Sequence, residues 1–319
     1  ARNLLHEVAE APNRPPYARL NRGIADLLMG CFPHGLEDMT ARWQLPDQYI
    51  KRRVTDDLPN WVGAPLKGLR LVVYGEQGLG DAIQCVRFVP RLVEAGAEVT
   101  LAVDEALHPL LAQLGVPMVE EVDAAEGYDA RVSVMDVPMV ARIGLSDLWP
   151  GAPYLTTEPQ RVAAWRARLG ERFKVAFAWS GKPSMRVNAR RSFPPSLVTA
   201  LGRVPGVRLI SVQKGAEVGA LPIETLEELD ADGAFLDTAA VMQACDLVIT
   251  CDTSIAHLAG ALGCPVWIGL RAVPDWRWML ERSDSPWYPS AVLFRQTAPG
   301  DWSSVERGMV AALTELTAS

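Results

Sequence analysis

The stretch Leu69-Arg70-Leu71-Val72-Val73-Tyr74-Gly75-Glu76-Gln77-Gly78-Leu79-Gly80-Asp81 decides how the chain folds. Its first six residues are a short, mostly apolar run, which predicts a buried strand. The glycines that follow allow a sharp turn, and the apolar periodicity of residues 80–94 predicts a helix directly after it. A strand, a tight turn and a helix in this order are typical of the repeating units of a parallel sheet.

The same alternation of strands and helices continues along the chain. We expect further strands at 98–103, 117–122, 130–134, 174–179, 208–212, 247–251 and 266–269. Helices are expected at 105–114, 158–169, 195–201, 238–244 and 254–262. This order predicts two Rossmann-like α/β units. Ligands of such units bind at the carboxyl ends of the strands, so the cleft between the units is the expected site.

The pattern divides the 319 residues into four segments. Residues 1–62 form a helical extension, residues 63–157 a first Rossmann-like domain and residues 158–300 a second one. Residues 301–319 form a C-terminal helix, whose inward face is expected to carry Val305, Met309, Ala312 and Leu316. The fold class is therefore α/β with a helical preface.

Composition narrows the classes of function. The formal net charge is −7 without a long basic run, which excludes a broad nucleic-acid surface but not a local anion pocket. Five cysteines without a CxxC motif indicate reduced thiols. The uncharged run 253–270 contains two glycines and a proline, so it predicts a helix, a turn and a strand rather than a membrane span. Residues 1–30 lack an apolar signal-peptide core, and we expect a cytoplasmic protein.

The glycine-rich turn is a candidate functional site. Its order, GxxGxG, differs from the GxGxxG of dinucleotide-binding folds, so a nicotinamide cofactor is only a minor alternative. The turn instead presents Asp81 at a junction between a strand and a helix. Asp81 then serves either as a helix cap or as a general base aimed into the cleft.

Three strand ends of the second half carry groups that bind anions. Asp252-Thr253-Ser254 begins a helix whose N–H groups and hydroxyls suit a phosphate, and His257 follows on the same helix. Trp179-Ser180-Gly181-Lys182 and the nearby Arg190-Arg191 follow a second strand, and Gln213-Lys214 follows a third. Each segment alone is also compatible with a cap, a core histidine or a solvated loop. Together they predict a phosphorylated nucleotide as ligand.

Three motifs stand out: Gly78-Leu79-Gly80-Asp81, Asp252-Thr253-Ser254-Ile255-Ala256-His257-Leu258-Ala259-Gly260 and Pro274-Asp275-Trp276-Arg277-Trp278. Together they resemble the heptosyltransferase-like family 9 glycosyltransferases, and more closely the branch that is fused to tetratricopeptide repeats. The resemblance runs from about residue 69 to residue 302. It implies a GT-B fold, an inverting and metal-independent transfer from a nucleotide sugar, and a repeat array that ends within residues 1–62.

The resemblance also implies roles for individual residues. Asp81 is the expected catalytic base. Arg191, which stands where the family more often has Lys, is expected to meet the donor phosphates. The expected donor and substrate contacts are Gly78, Gly80, Gln84, Trp179, Ser180, Lys182, Arg191, Gln213, Lys214, Asp252, Thr253, Ser254 and His257. No cofactor or metal is implied, because cations and helix dipoles can stabilise the leaving phosphate.

Three classes of function remain open. The first is a glycosyltransferase that uses ADP-heptose or a CMP- or GDP-linked sugar. Its acceptor is a protein such as flagellin or a surface adhesin, or alternatively the lipopolysaccharide core. The second class is a non-catalytic module that binds nucleotide sugars or proteins. The third is a nucleotide-sugar epimerase or an NAD enzyme of similar architecture. The transferred group, a hexose, a heptose or a nonulosonic acid, is not fixed by the sequence.

Overall fold

The computed structural model describes residues 15–46, 50, 53–147, 153–181, 188–214, 218–231 and 235–318. The chain forms two compact units. Unit 1 comprises Ala1–Gly151 and Asp275–Glu281, and unit 2 comprises Ala152–Pro274 and Arg282–Ser319. Each unit contains a parallel sheet with helices, so the α/β class expected from the sequence is confirmed.

Unit 1 is built on a four-stranded parallel sheet in the order β3-β2-β1-β4. Its strands are β1 Arg70–Tyr74, β2 Glu98–Ala102, β3 Met118–Val119 and β4 Ala130–Ser133. The central strand β1 is buried, and Leu71, Val72 and Val73 are inaccessible to solvent. This burial explains why β1 is a continuous apolar run rather than an alternating one.

A pair of helices, α1 (Pro16–Leu28) and α2 (Phe32–Met39), precedes the sheet of unit 1. The helices approach closely at Gly23 and Gly35, where an added Cβ would lie less than 3.0 Å from atoms of the other helix. A 3₁₀ turn at Thr40–Gln44 follows them. The remaining α-helices described in unit 1 are α3 Leu79–Cys85, α4 Val89–Glu94, α5 His108–Leu111 and α6 Val137–Val140.

The single helix expected at 80–94 is interrupted between α3 and α4 by a 3₁₀ turn, Val86–Phe88. Pro90 is the reason, because it lacks the N–H that would bond to the carbonyl four residues earlier and its ring clashes with that carbonyl. The interruption changes which residues face the core. Leu92 is buried, whereas Val93 is 42% exposed.

Unit 2 is built on a five-stranded parallel sheet in the order β6-β5-β7-β8-β9. Its strands are β5 Phe173–Ala178, β6 Val207–Ser211, β7 Leu247–Cys251, β8 Val266–Leu270 and β9 Ala291–Arg295. Strand β9 is not among the strands expected from the sequence. This strand lies at the edge of the sheet and leaves Val292 exposed, so its sequence lacks the fully buried pattern of the central strands.

The α-helices described in unit 2 are α7 Pro159–Leu169, α8 Asn188–Arg191, α9 Pro195–Gly202, α10 Leu236–Ala244, α11 Ser254–Ala261 and α12 Ser303–Ala318. The C-terminal helix α12 packs into the core of unit 2 through Val305, Met309 and Leu313. Leu316, which we expected on this face, is exposed. The uncharged run 253–270 folds as α11, a turn and β8. Within the described part of the chain, no helix is both long and apolar enough to span a membrane.

Candidate functional site

The glycine-rich turn connects β1 to α3 and fixes the position of Asp81. Gly78 precedes the helix in an extended conformation, and its N–H donates to Oδ2 of Asp81 at 2.8 Å. Gly80 lies in the first turn of α3. Asp81 therefore caps the helix, yet its side chain remains 21% exposed. The capping role and access to a ligand are both compatible with this geometry.

The other oxygen of Asp81 is held by Arg277, which is not among the site residues expected from the sequence. Nη2 of Arg277 lies 2.6 Å from Oδ1 of Asp81, and Nη1 donates to Oδ1 of Asp275 at 2.9 Å. Its Nε donates to Oε1 of Gln84, which is inaccessible to solvent. Burial lowers the pKa of Arg277, but Asp275 and Asp81 outweigh it and raise the pKa overall. Arg277 is therefore a permanent cation that orients both Asp81 and Gln84.

Arg277 reaches Asp81 because Asp275–Glu281 belongs to unit 1, although the flanking chain belongs to unit 2. The N–H of Leu280 donates to the carbonyl of Leu28 in α1 at 2.9 Å. The ring of Trp276 packs edge-on against Phe32 at a centroid distance of 6.4 Å. This segment is thus tied to the helix pair of unit 1, which places the guanidinium beside α3.

A buried ion-pair network holds the glycine-rich turn in place through Glu76. Nε of Arg42 lies 2.6 Å from Oε1 of Glu76, and Nη2 of Arg42 lies 2.8 Å from Oδ1 of Asp136. Trp43 donates its ring N–H to the second oxygen of Asp136. Burial raises the pKa of Glu76, while the guanidinium of Arg42 opposes the shift. A buried carboxylate without such a partner would be strongly destabilising, so Arg42 is required for this turn.

In unit 2, the carboxyl ends of β6, β5 and β7 lie side by side. Ser180, just after β5, donates its backbone N–H to Oε1 of Gln213, just after β6, at 3.0 Å. The N–H of Gly181 donates to Oδ1 of Asn188 at 2.7 Å, and Asn188 donates to Oγ of Ser180. The structure thus brings together the predicted residues Ser180 and Gln213. Trp179 is buried and stacks on Phe177, at a centroid distance of 6.0 Å, in the core of unit 2.

Arg191 lies at this same edge of the sheet. Its guanidinium packs directly on Gly181, where an added Cβ would force the guanidinium and the nearby Oδ1 of Asn188 to shift. Burial raises the pKa of the Cys251 thiol at the end of β7 to about 12, even though Arg191 acts to lower it. Lys214 is exposed at the end of β6. Lys182 falls outside the described residues.

The segment after β7 begins helix α11. Thr253 is buried in an extended conformation directly before the helix, and its hydroxyl lies 3.3 Å from that of Thr250. Asp252 and Ser254 are half-buried on either side of Thr253. His257 is buried, and its Nδ1 lies 2.8 Å from the hydroxyl of Tyr288. The position of His257 is therefore set by packing against Tyr288.

Comparisons with known proteins agree with the fold. No protein-family model matches the sequence. Protein FlbA of Caulobacter vibrioides is 30% identical to this chain, over 81% of the chain and 48% of FlbA. The chain therefore spans about half the length of this relative.

Two solved structures have the same architecture at low sequence identity. The match to a family 9 glycosyltransferase from Veillonella parvula covers 78% of this chain and 91% of the Veillonella chain, with a TM-score of 0.51 and 14% identity. The match to ADP-heptose lipopolysaccharide heptosyltransferase II of E. coli covers 78% of this chain and 99% of the E. coli chain, with the same TM-score and identity. At this level of identity the similarity establishes the fold, which is that of the GT-B glycosyltransferases.

Proposed function

We propose that this chain is a metal-independent, inverting glycosyltransferase that moves a sugar from a nucleotide-sugar donor to an acceptor hydroxyl, with Asp81 as the general base. The observation that carries the proposal is the environment of Asp81. Its carboxylate stands at the start of α3, oriented by the N–H of Gly78 on one oxygen and by Arg277 on the other, and it remains partly exposed. A base must have this combination of fixed direction and access.

In unit 1, the Asp81 carboxylate can still accept a proton from an acceptor hydroxyl. A carboxylate has about four acceptor positions, and Gly78 and Arg277 use two, so Asp81 retains positions for the hydroxyl proton of an acceptor. A carboxylate is a weak base toward a hydroxyl, so we expect proton transfer to be concerted with attack on the sugar. Gly78 and Gly80 leave room for a close approach, and Gln84 acts through Arg277.

On unit 2, we propose that the donor diphosphate binds at the carboxyl ends of β5, β6 and β7. Arg191, the N–H groups at the start of α11 and the hydroxyls of Thr253 and Ser254 supply the stabilisation that a departing phosphate needs. Lys214 and Lys182 add positive charge. The remaining proposed contributors are Trp179, Ser180, Gln213 and Asp252, with His257 positioning α11 through Tyr288.

The proposal extends to the donor sugar nucleotide and to the acceptor. ADP-heptose is the donor named for the similar E. coli enzyme, and a CMP- or GDP-linked sugar is the alternative. We propose a protein acceptor such as flagellin, because the helix pair α1–α2 suits the end of a tetratricopeptide-like array that would bind a protein. The lipopolysaccharide core is the second acceptor to test.

A non-catalytic module that binds nucleotide sugars is the second candidate function. The observation that favours it is that both oxygens of Asp81 already have partners within unit 1. In such a module Asp81 would be a helix cap and a partner for Arg277, without any role in proton transfer. Donor binding is common to both candidates, whereas turnover belongs to the first alone.

A thermal-shift screen tests the shared part of the proposal. Nucleosides, nucleoside diphosphates and ADP-, GDP-, UDP- and CMP-sugars are added to the full chain. A ligand at about 100 times its dissociation constant stabilises a protein by roughly 2.7 kcal/mol. Arg191→Gln should reduce the shift caused by a diphosphate but not that of the nucleoside, and Arg203→Gln, an exposed arginine elsewhere on unit 2, is the matched control. Absence of a shift with every nucleotide would contradict both candidates.

A further inference from the structure

Unit 2 contains a pocket of about 720 Å³ that the proposed donor site does not use. It lies where β8 and β9 end, because Arg271 directly follows β8 and Gln296 directly follows β9. Arg190 and Phe193 also line it, as does Trp302, the residue before α12. A volume of this size is typical of small-molecule sites.

Gln296 is the buried polar group of this pocket. Only 5% of the residue is exposed. Its Oε1 accepts from the backbone N–H of Gly300 at 3.0 Å and of Ala272 at 3.4 Å, and both of these residues also line the pocket. Its Nε2 has no hydrogen-bond partner among the described residues. Buried N–H groups are nearly always paired in folded proteins, so this amide marks a place for an acceptor atom of a ligand.

The charged lining of the pocket has one sign. Arg190 and Arg271 contribute guanidinium groups, and neither forms an ion pair with any residue that the structure describes. None of the described lining residues is acidic. In a chain of net charge −7, two guanidinium groups beside an unpaired amide N–H make a local anion site.

Two aromatic side chains, Phe193 and Trp302, also line the pocket. Phe193 packs so tightly on Gly269 of β8 that any Cβ there would clash with the ring. Trp302 meets Phe193 edge to face, with a centroid distance of 5.3 Å and an interplanar angle of 83°. Rigid aromatic walls of this kind contact the ring of a ligand with little loss of side-chain freedom.

We infer that this pocket binds a small organic anion, a phosphate or carboxylate group carried on a ring. The guanidinium groups of Arg190 and Arg271 and the amide of Gln296 meet the anion, and Phe193 and Trp302 meet the ring. Arg191, which the proposed diphosphate site uses, lies against Gly181 and is not among the residues that line this pocket. The inference does not depend on the proposed transfer reaction.

Isothermal titration calorimetry of the full chain tests the inference with three probes: phenyl phosphate, benzoate and the neutral benzyl alcohol. We expect an anionic probe to bind once per chain and benzyl alcohol not to bind. Arg271→Gln should weaken binding about tenfold or more, as expected for a hydrogen bond to a charged group. Gln296→Glu keeps the acceptors for Ala272 and Gly300 but replaces the amide donor with a negative charge, so it should abolish binding. Arg203→Gln should leave the affinity unchanged.

Each outcome of this experiment decides for or against the pocket. Binding of either anion in this pattern supports it, and the tighter of the two identifies the head group. Failure of both anions to bind the wild-type chain would overturn it. Equal affinity in the wild type, Arg271→Gln and Gln296→Glu would overturn it as well. Loss of binding in Arg191→Gln with no change in Arg271→Gln would assign the anion to the diphosphate site instead.

Discussion

Replacing Arg277 by Met tests whether one guanidinium holds the candidate base in place. Arg277 is 4% exposed and contacts Asp81, Asp275 and Gln84 at the same time. It also lies over the ring of Trp276, with 4.4 Å from Cζ to the ring centroid. Met is an unbranched, adaptable side chain, so the change removes these polar contacts while largely filling the space.

The expected loss follows from the burial of each partner. Removing one member of a buried ion pair costs about 3–5 kcal/mol. The side chains of Asp81 and Asp275 are 21% and 36% exposed, so both carboxylates can regain water, whereas Gln84 is inaccessible and cannot. We therefore expect a value near the lower end, a loss of about 3 kcal/mol in the free energy of unfolding of unit 1.

Urea unfolding followed by circular dichroism measures this loss. Because two units can unfold separately, hydrogen exchange of peptides from α3 and β1 shows whether the loss lies in unit 1. Arg282→Met is the control, since it breaks an exposed ion pair with Asp284 and should cost at most about 1 kcal/mol. Arg277→Lys keeps the charge but not the planar fork, so it should fall between the two.

A small loss in the free energy of unfolding of Arg277→Met would refute this reasoning. If Arg277→Met cost no more than Arg282→Met, the guanidinium would not fix Asp81, Asp275 and Gln84 in the folded chain. The orientation of the proposed base would then lack its physical cause.

Two further predictions concern unit 2. In Gly260→Ala the new Cβ would lie less than 3.0 Å from the buried ring of Tyr288, so overpacking should cost about 1–3 kcal/mol in thermal unfolding, and an unchanged melting temperature would contradict this packing. Asp237 accepts hydrogen bonds from Arg161 and Trp165, at 2.8 Å each. Burial raises the pKa of Asp237, but these hydrogen bonds lower the pKa by more than burial raises it, so the net shift is downward. Its stabilisation is therefore present above the unfolded pKa of about 3.9 and is lost as the pH falls through the lower folded value. Asp237→Asn should cost about 1–2 kcal/mol near neutral pH and progressively less as the pH falls below about 3.9, and a pH-independent cost in urea unfolding would show that the charge has no part.

Much of the fold was predictable because the strands and helices of parallel α/β units each have a recognisable local sequence pattern. Strands β1 and β7 are continuous apolar runs followed by turn residues and helices, so their positions needed no long-range information. The interruption at Pro90 could have been predicted from proline chemistry alone. Strand β9 could not, since an edge strand is defined by the neighbour with which it pairs, here β8.

The candidate site was predictable only in part, for a related reason. The place of Asp81 after a strand and a glycine-rich turn is a local feature, and the structure has it there. Its partner Arg277 lies far along the sequence, in a segment that leaves unit 2 to join unit 1, and no local pattern encodes that contact. Glu76, two residues after β1 in the glycine-rich turn, is buried in the structure and therefore requires a buried cation as its partner. The sequence does not say that this cation is Arg42.

The most direct test of the central claim is the rate of nucleotide release from a nucleotide sugar that stabilises the chain, with flagellin as the first acceptor. Asp81→Asn should lower kcat by about 10²–10⁴-fold, the usual contribution of a general base, while donor binding in the thermal-shift assay is retained. Asp275→Asn is the matched control, because Asp275 contacts the same guanidinium, and it should keep kcat within about tenfold of the wild type. Near-normal turnover in Asp81→Asn would contradict the account, since Asp81 would then be only a helix cap and a partner of Arg277.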